Sequence, residues 1–374
     1  MKGELAERLL SVVMGWDASN VAEERPVIQM LAEYKYDEYQ QYSPGMRFIE
    51  SLALWLNQFD KSEREPALNF IKDNLVFISL EEMTHLVAIS FNDFIKPKLI
   101  EKVAKYLEKD PFEQMKEVVS DLNYEISLRR CLFLGLSDGA HIDIFRRYNN
   151  SLSNEQICLS YDIPNKKLCE LKEELSKDID ESLKNNNKDL QIEKKFNTIV
   201  LLDDFTGSGI SYLRKEGDEW KGKISKVISE IKNQKNIFSK KIDVFIVLYI
   251  ATEKAKTYLL EVLQQYKEDF CKETNFTLIT VMNLEGINVE TEKHSDFLEL
   301  AKNHFDEIII DKHFKKGNYK RPFLGFDECA LPIVIFHNTP NNTLPIIWFG
   351  DKCKVKGLFP RVSRHKEELY EKNT

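Results

Sequence analysis

Two adjacent carboxylates, Asp203 and Asp204, end a β-rich apolar run, Thr198–Leu202. Small and hydroxyl-bearing residues follow at once: Thr206, Gly207, Ser208, Gly209 and, after Ile210, Ser211. This order reads as a buried parallel strand, a ligand loop at its C-terminal end, and a helix beginning at Ile210–Ser211. In open α/β sheets, ligands bind at that end of the strands. Amides at a helix start, helped by the helix dipole, favour an anion such as phosphate. The glycines let the backbone come close, and Ser208 and Ser211 add hydroxyl groups. Acids beside a phosphate repel it unless they face something else, and sugar hydroxyls or a Mg²⁺ ion would suit them. The adjoining residues, Leu202, Phe205 and Thr206, offer no base. Unpaired, crowded carboxylates are therefore expected, better explained by a ligand than by stability. Phosphate on the amides and ribose hydroxyls on the acids describe a phosphoribosyl group. The alternative is an incidental turn carrying two acids. A Walker A loop does not fit, because no Gly-Lys-Ser/Thr follows.

Two further stretches have the residue types for a site. Ser137-Asp138-Gly139-Ala140 follows the apolar run Cys131–Leu136, with Gly139 and Ala140 leaving room for backbone amides. Arg146 and Arg147, shortly after, suit either forked phosphate contacts or an exposed surface. The other stretch runs from His337 through Asn338, Thr339, Pro340, Asn341, Asn342 and Thr343 to Pro345, between the apolar runs Leu331–Phe336 and Ile346–Phe349. Both flanking runs read as strands, and the loop as either a turn or a ligand-facing wall. The tail from Leu358 to His365 is locally basic and could face a phosphate or a partner.

Stepping outward, apolar spacing makes residues 1–120 helical. Leu5, Leu9, Val12 and Val13 mark one helix face, Glu24–Tyr34 gives a second helix, and Phe48, Ile49, Leu52 and Trp55 belong to a third. Ser79–Glu82 fits a capping box, and Leu99–Leu107 gives another helix after Pro97. None of these helices has catalytic spacing, so the region reads as an interaction or scaffold domain. Leu168–Glu193, highly charged around Asn185-Asn186-Asn187, reads as a solvent-facing helix with a flexible connection. Ile210–Asn233 reads as a helix broken near Gly217 and Gly222. Strands at Ile242–Ile250 and Phe276–Leu284 flank a helix at Ala255–Phe270. This βα rhythm implies a parallel sheet with helices on both faces.

The chain has 374 residues, enough for two domains, and a formal net charge of −8, which argues against broad nonspecific nucleic-acid binding. Its six cysteines, Cys131, Cys158, Cys169, Cys271, Cys329 and Cys353, are scattered without metal-ligand spacing. No apolar run has the length of a membrane span, and Met1–Trp16 lacks the basic start and cleavage site of an export signal. A cytoplasmic protein with no membrane contact is the expectation.

The central stretch resembles the PRPP-binding loop of type I phosphoribosyltransferases: apolar strand, two acids, two variable residues, a small residue, Ser-Gly, one residue, Ser. Matched in order, Asp203 and Asp204 take the ribose acids, and Ser208, Gly209 and Ser211 the 5′-phosphate loop. Thr206 and Gly207 complete that loop. Ser137, Asp138 and Gly139 stand where the family has its pyrophosphate loop, and Leu168–Glu193 where it has a mobile hood or a linker. VLLDDFTGSG, HNTPNNTLPIIW and LFPR together resemble the phosphoribosyltransferase-like proteins of bacterial conflict systems, found in antiphage gene neighbourhoods including some retrons.

The resemblance covers roughly Arg130–His365. It implies a phosphoribosyltransferase-like (Rossmann-like) α/β domain over 123–374, behind an N-terminal helical domain over 1–122. It further implies PRPP or a nucleotide as ligand, with Mg²⁺ at Asp203 and Asp204. The activity it implies is transfer or cleavage at ribose C1 of PRPP, a nucleotide or a nucleic acid, in antiphage defence with a protein or nucleoprotein partner. Many base-handling relatives carry an acid at the place of Gly207. Without it, His337 is the substitute acid/base, beside Asn338, Asn341 and Asn342 as a site wall. The other outcome is a catalytically inactive module that binds a nucleotide and regulates a partner.

Overall fold

Apolar runs that are buried on both faces become interior strands of a parallel sheet. The computed structural model describes residues 3–289 and 292–361. In it, five segments form one sheet: Cys131–Gly135 (β1), Ile157–Cys158 (β2), Phe196–Thr206 (β3), Phe238–Thr252 (β4) and Thr274–Leu284 (β5). Neighbouring strands are all parallel, in the order β2-β1-β3-β4-β5. The chain leaves β1 toward one edge, makes β2, and returns across β1 to make β3. The connections after β1 and β3 therefore diverge, and the crevice between their C-terminal ends is the topological switch point. The register sets Gly135 opposite Leu202, and Asp203 opposite Leu248.

Helices Ile142–Tyr148 (α1), Asn165–Asn185 (α2), Lys223–Asn233 (α3) and Glu253–Phe270 (α4) connect these strands. The charged stretch expected to be solvent-facing is largely α2. Its Leu168, Leu171, Leu175, Ile179 and Leu183 recur every three or four residues and join Leu132, Leu134, Ile199 and Leu201 in the core. That apolar stripe makes it a packed crossover helix, not a hood. Ile210–Asn233 differs from expectation as well. A two-stranded hairpin, Arg214–Glu216 with Glu219–Lys221, precedes α3. Gly217 at φ +60° and Gly222 at φ +126° suit a hairpin better than a broken helix.

The contact pattern divides the chain into two units, residues 83–285 and residues 1–82 with 286–374, not at the 122/123 boundary expected from helical periodicity. The reason lies in what each segment packs on. Within the sheet unit, Lys102 of helix Lys96–Tyr106 bonds Thr198 Oγ1 at 2.8 Å and pairs with Asp243 at 2.6 Å. Phe91 lies 6.0 Å from Phe133, ring to ring. The helices between residues 83 and 285 therefore belong with the sheet. In the other unit, Val76–Ile78 pairs in parallel with Ile333–Ile335, Phe70 stacks on Phe297 at 3.7 Å, and Trp55 Nε1 donates to the carbonyl of Ile346 at 3.1 Å. The chain beyond residue 285 thus completes the front helices.

Smaller differences have local causes. In helix Gly3–Met14 the buried residues are Ala6, Leu10 and Val13, while Leu5 and Val12 are exposed, so the true face is turned from the expected one. Ile346–Phe349 is not a strand; Pro345 opens a short helix, Pro345–Trp348. The capping box at Ser79 is present: Ser79 N donates to Glu82 Oε2 at 2.8 Å and Glu82 N to Ser79 Oγ at 3.1 Å. Among the described residues, no helix is long and apolar enough to cross a membrane.

Candidate functional site

Side chains alternate faces along a strand, so the two acids at the end of β3 point to opposite sides. Asp203 continues the face of Ile199 and Leu201, which packs under the helices, and is fully buried. Its carboxylate accepts from Ser137 Oγ and from Tyr212 Oη, the latter at 2.6 Å, and forms an ion pair with Lys223. Burial pushes its carboxyl above the usual aspartate range, opposed by Lys223 and reinforced by Asp204. Burial, and then Asp203 itself, also hold the Tyr212 phenol well above its ordinary value, so it stays a donor. Asp203 is therefore not the unpaired acid expected from its neighbours in sequence. Its cation lies twenty residues on, at the first position of α3.

Asp204 occupies the other face and is half-buried. Its Oδ1 accepts the amide of Phe205 at 2.7 Å. Its carboxylate lies against Gly139, where a Cβ would stand 2.3 Å from Oδ2. The loop after β1 thus meets both acids: Ser137 binds Asp203, and Gly139 makes room for Asp204. Asp138 is exposed in the same loop. Arg146 Nη2 donates to the carbonyl of Ile157 at 3.1 Å, tying α1 to β2.

The ligand loop turns without a helix at Ile210, which removes the expected helix-dipole contribution. Thr206 Oγ1 accepts the amide of Gly209 at 3.0 Å, and Gly209 O accepts the amide of Tyr212 at 2.9 Å. Gly209 holds φ +78°, where L-residues are strained, and packs against Tyr258 and Leu259 of α4. Thr252, which caps α4, donates from Oγ1 to the carbonyl of Gly207 at 2.7 Å. Thr206, Gly207, Ser208 and Gly209 are buried and Ser211 is exposed. An anion here would rest on loop amides and hydroxyls, a concave arrangement that binds phosphate without a helix.

His337, Asn338, Asn341 and Asn342 belong to the other unit. Much of their loop's polarity is spent on its own fold. Asn342 Nδ2 donates to Phe326 O at 3.1 Å, Thr343 Oγ1 to Ile333 O at 2.5 Å, and Thr339 Oγ1 to Phe359 O at 3.0 Å. Asn341 O accepts the amide of Phe326 at 2.7 Å, Asn338 N donates to Ile335 O at 2.9 Å, and the His337 ring meets Phe336 edge-on. In the basic tail, Leu358 and Phe359 are core residues and Arg361 lies over the Trp348 ring at 5.9 Å. Arg364 and His365 lie outside the described residues.

Two site residues, Tyr212 and Lys223, are absent from the sequence reading. Their signal was the hairpin itself, since a chain that reverses at Gly217 returns its far end, Gly222-Lys223, to the loop it left. Among the described residues, no group of three His, Cys, Asp or Glu could hold a metal ion. Asp203 is already matched by the ammonium of Lys223.

A doubly wound parallel sheet with a small-residue loop after β1, paired acids at the end of β3 and a Thr-Gly-Ser-Gly loop at the switch point defines a phosphoribosyltransferase-like, Rossmann-like α/β protein. A family model described as PRTase-CE matches residues 52–361, and the chain belongs to that family. No curated protein and no solved structure matches it.

Proposed function

We propose that this protein binds a 5-phosphoribosyl group, as PRPP or a nucleotide, and transfers or cleaves at its C1. The observation that carries the reading is the meeting of Asp204 with Gly139 beside the Thr206–Gly209 loop, in the switch-point crevice. Amides and hydroxyls of 206–211 would hold the 5′-phosphate, Ser137–Gly139 would border the pyrophosphate, and acid at the end of β3 would receive the ribose hydroxyls. Bound Mg²⁺ would neutralise charge on the departing pyrophosphate. The chain's own part is to fix the ribose as positive charge develops at C1, so that the acceptor, a second substrate in transfer or water in cleavage, bonds to C1 as the base or pyrophosphate leaves.

The motif set shared with bacterial conflict proteins supports a role as an effector or accessory in antiphage defence, with a protein or nucleoprotein partner. A second reading, a nucleotide-binding regulatory module without turnover, is favoured by one observation. The loop place that carries an acid in many base-handling transferases is Gly207, buried and bonded through its carbonyl to Thr252.

The test is a thermal-shift titration with PRPP, ribose 5-phosphate and 5′-nucleotides in Mg²⁺, followed by time-resolved analysis of products. Ligand at about a hundred times its dissociation constant should stabilise the protein by roughly 2.7 kcal/mol. Released base or pyrophosphate supports the enzyme, and binding without release supports the module. No shift with any of these compounds refutes both.

A further inference from the structure

We propose that the two acids divide the work: Asp204 receives the ribose hydroxyls, while Asp203 is a positioning residue locked in place by Lys223. The inference deepens the phosphoribosyl reading and rests on it.

A carboxylate offers about four acceptor directions. On Asp203, three donors already converge, Ser137 Oγ, Tyr212 Oη and Lys223 Nζ, and the residue has no exposed surface. Three of those directions are taken, and the buried carboxylate shows no surface to a sugar. The three donors come from different segments: the loop after β1, the end of the ligand loop, and the start of α3. One buried charge therefore ties together the walls of the crevice. Lys223 is delivered by a tight return of the hairpin. Gly222 sits at φ +126°, and a Cβ there would stand 2.3 Å from the carbonyl oxygen of Tyr212. Lys223 N donates to Ser211 O at 3.2 Å and Ile224 N to Tyr212 O at 2.9 Å, closing the hairpin's base on the ligand loop. The ammonium also lies 4.8 Å from the Tyr212 ring centroid, which fixes the phenol beneath it. Asp204, one residue on, faces the opposite side, half-buried and bordered by a residue without a side chain. That is the acid a diol can approach.

Four variants of the full chain test this: Asp204→Asn, Lys223→Met, Lys223→Arg, and the double change Asp203→Asn with Lys223→Met. Each is measured for Tm and, by calorimetry, for binding of ribose 5-phosphate and of PRPP with Mg²⁺. Asp204→Asn should weaken binding about 10–100-fold through loss of charge-assisted hydrogen bonds, with Tm within about 2 °C of wild type. Lys223→Met should lower Tm by about 10 °C, because it strands a buried charge. Lys223→Arg should restore most of that loss. The double variant should be more stable than Lys223→Met, since a neutral amide no longer needs the cation. The proposal is overturned if Lys223→Met keeps its Tm and loses as much affinity as Asp204→Asn, which would put the ammonium on the ligand. It is equally overturned if the double variant is no more stable than the single one. If wild type binds neither compound, the phosphoribosyl reading falls and takes the ribose role of Asp204 with it. The Tm comparisons would still decide whether Lys223 anchors Asp203.

Discussion

A Cβ on Gly139 would stand 2.3 Å from Oδ2 of Asp204 and 2.6 Å from its Cγ, so the loop after β1 and the acid at the end of β3 meet because residue 139 lacks a side chain. This glycine is not needed for an unusual backbone angle; it is needed for space. Gly139→Ala should therefore turn the carboxylate of Asp204 out of its place at modest cost to the fold. We expect Tm to fall by no more than about 3 °C. Affinity for ribose 5-phosphate should fall about tenfold or more, equivalent to a lost charge-assisted hydrogen bond. Calorimetry and a thermal melt on one preparation check both, and unchanged affinity would mean that Asp204 does not face the ligand.

Gly209 poses the opposite case, where both angle and space matter. At φ +78° an alanine is strained, and its Cβ would lie 2.9 Å from both Leu259 Cγ and Tyr258 Cδ1. Gly217, at the hairpin tip, has φ +60° with nothing within 4 Å, so it isolates the strain alone. Gly217→Ala should cost about 1 kcal/mol and leave ligand binding intact. Gly209→Ala should cost about 1–3 kcal/mol and also weaken binding, because the phosphate loop must move off α4. Denaturant unfolding and ligand titration of the two variants side by side give the comparison. Equal effects on binding would show that loop position is irrelevant.

The sequence carries the sheet in its long apolar runs, because burial on both faces leaves little choice of residue; β1, β3, β4 and β5 lie where those runs lie. The crevice was legible for the same reason, since paired acids at the end of such a run must sit at the strand's C-terminal edge. What was hidden depends on distance along the chain. The cation for Asp203 is twenty residues away and arrives through a hairpin whose charged residues look like a solvated helix. The partner of Ile333–Ile335 is Val76–Ile78, at the far end of the sequence, and three-residue strands leave no periodicity to read. The stripe of α2 was obscured by the charge between its leucines.

The hairpin that delivers Lys223 has its own electrostatic clasp. Glu216 accepts from Arg214 Nε at 2.6 Å and lies 2.9 Å from Lys221 Nζ. Hydrogen bonds from Lys221 and then Arg214 lower its carboxyl to about 2, from an ordinary value of 4.5. The folded value is the depressed one, so the stabilisation is present above about pH 4.5 and is lost as pH falls toward about 2. Carbon-detected NMR should show Glu216 titrating near the lower value, with amide protection across 214–221 declining over the same window. A Glu216 midpoint near 4.5 would show that the clasp does not form, and Glu216→Gln should remove the acid response of the hairpin.

Where the chain is cut should decide whether the sheet stands alone. A fragment beginning near Asn123, the boundary suggested by helical periodicity, loses Lys102, whose ammonium bridges Thr198 and Asp243, and Phe91, which meets Phe133. It also leaves Ile333–Ile335 without Val76–Ile78 and Phe297 without Phe70. Residues 79–285 instead keep the whole sheet, both loops of the crevice, and the helices packed on them. Starting at Ser79 preserves the reciprocal cap with Glu82 that opens helix Leu80–Ile89. Losing such a cap would cost about 1 kcal/mol. We expect 79–285 to melt cooperatively and to bind ribose 5-phosphate, and 123–374 to show neither a cooperative melt nor dispersed amide resonances. If 123–374 folds and 79–285 does not, the division at residues 82/83 and 285/286 is refuted. If 79–285 folds but binds nothing that the full chain binds, the crevice of the sheet unit does not hold the ligand by itself.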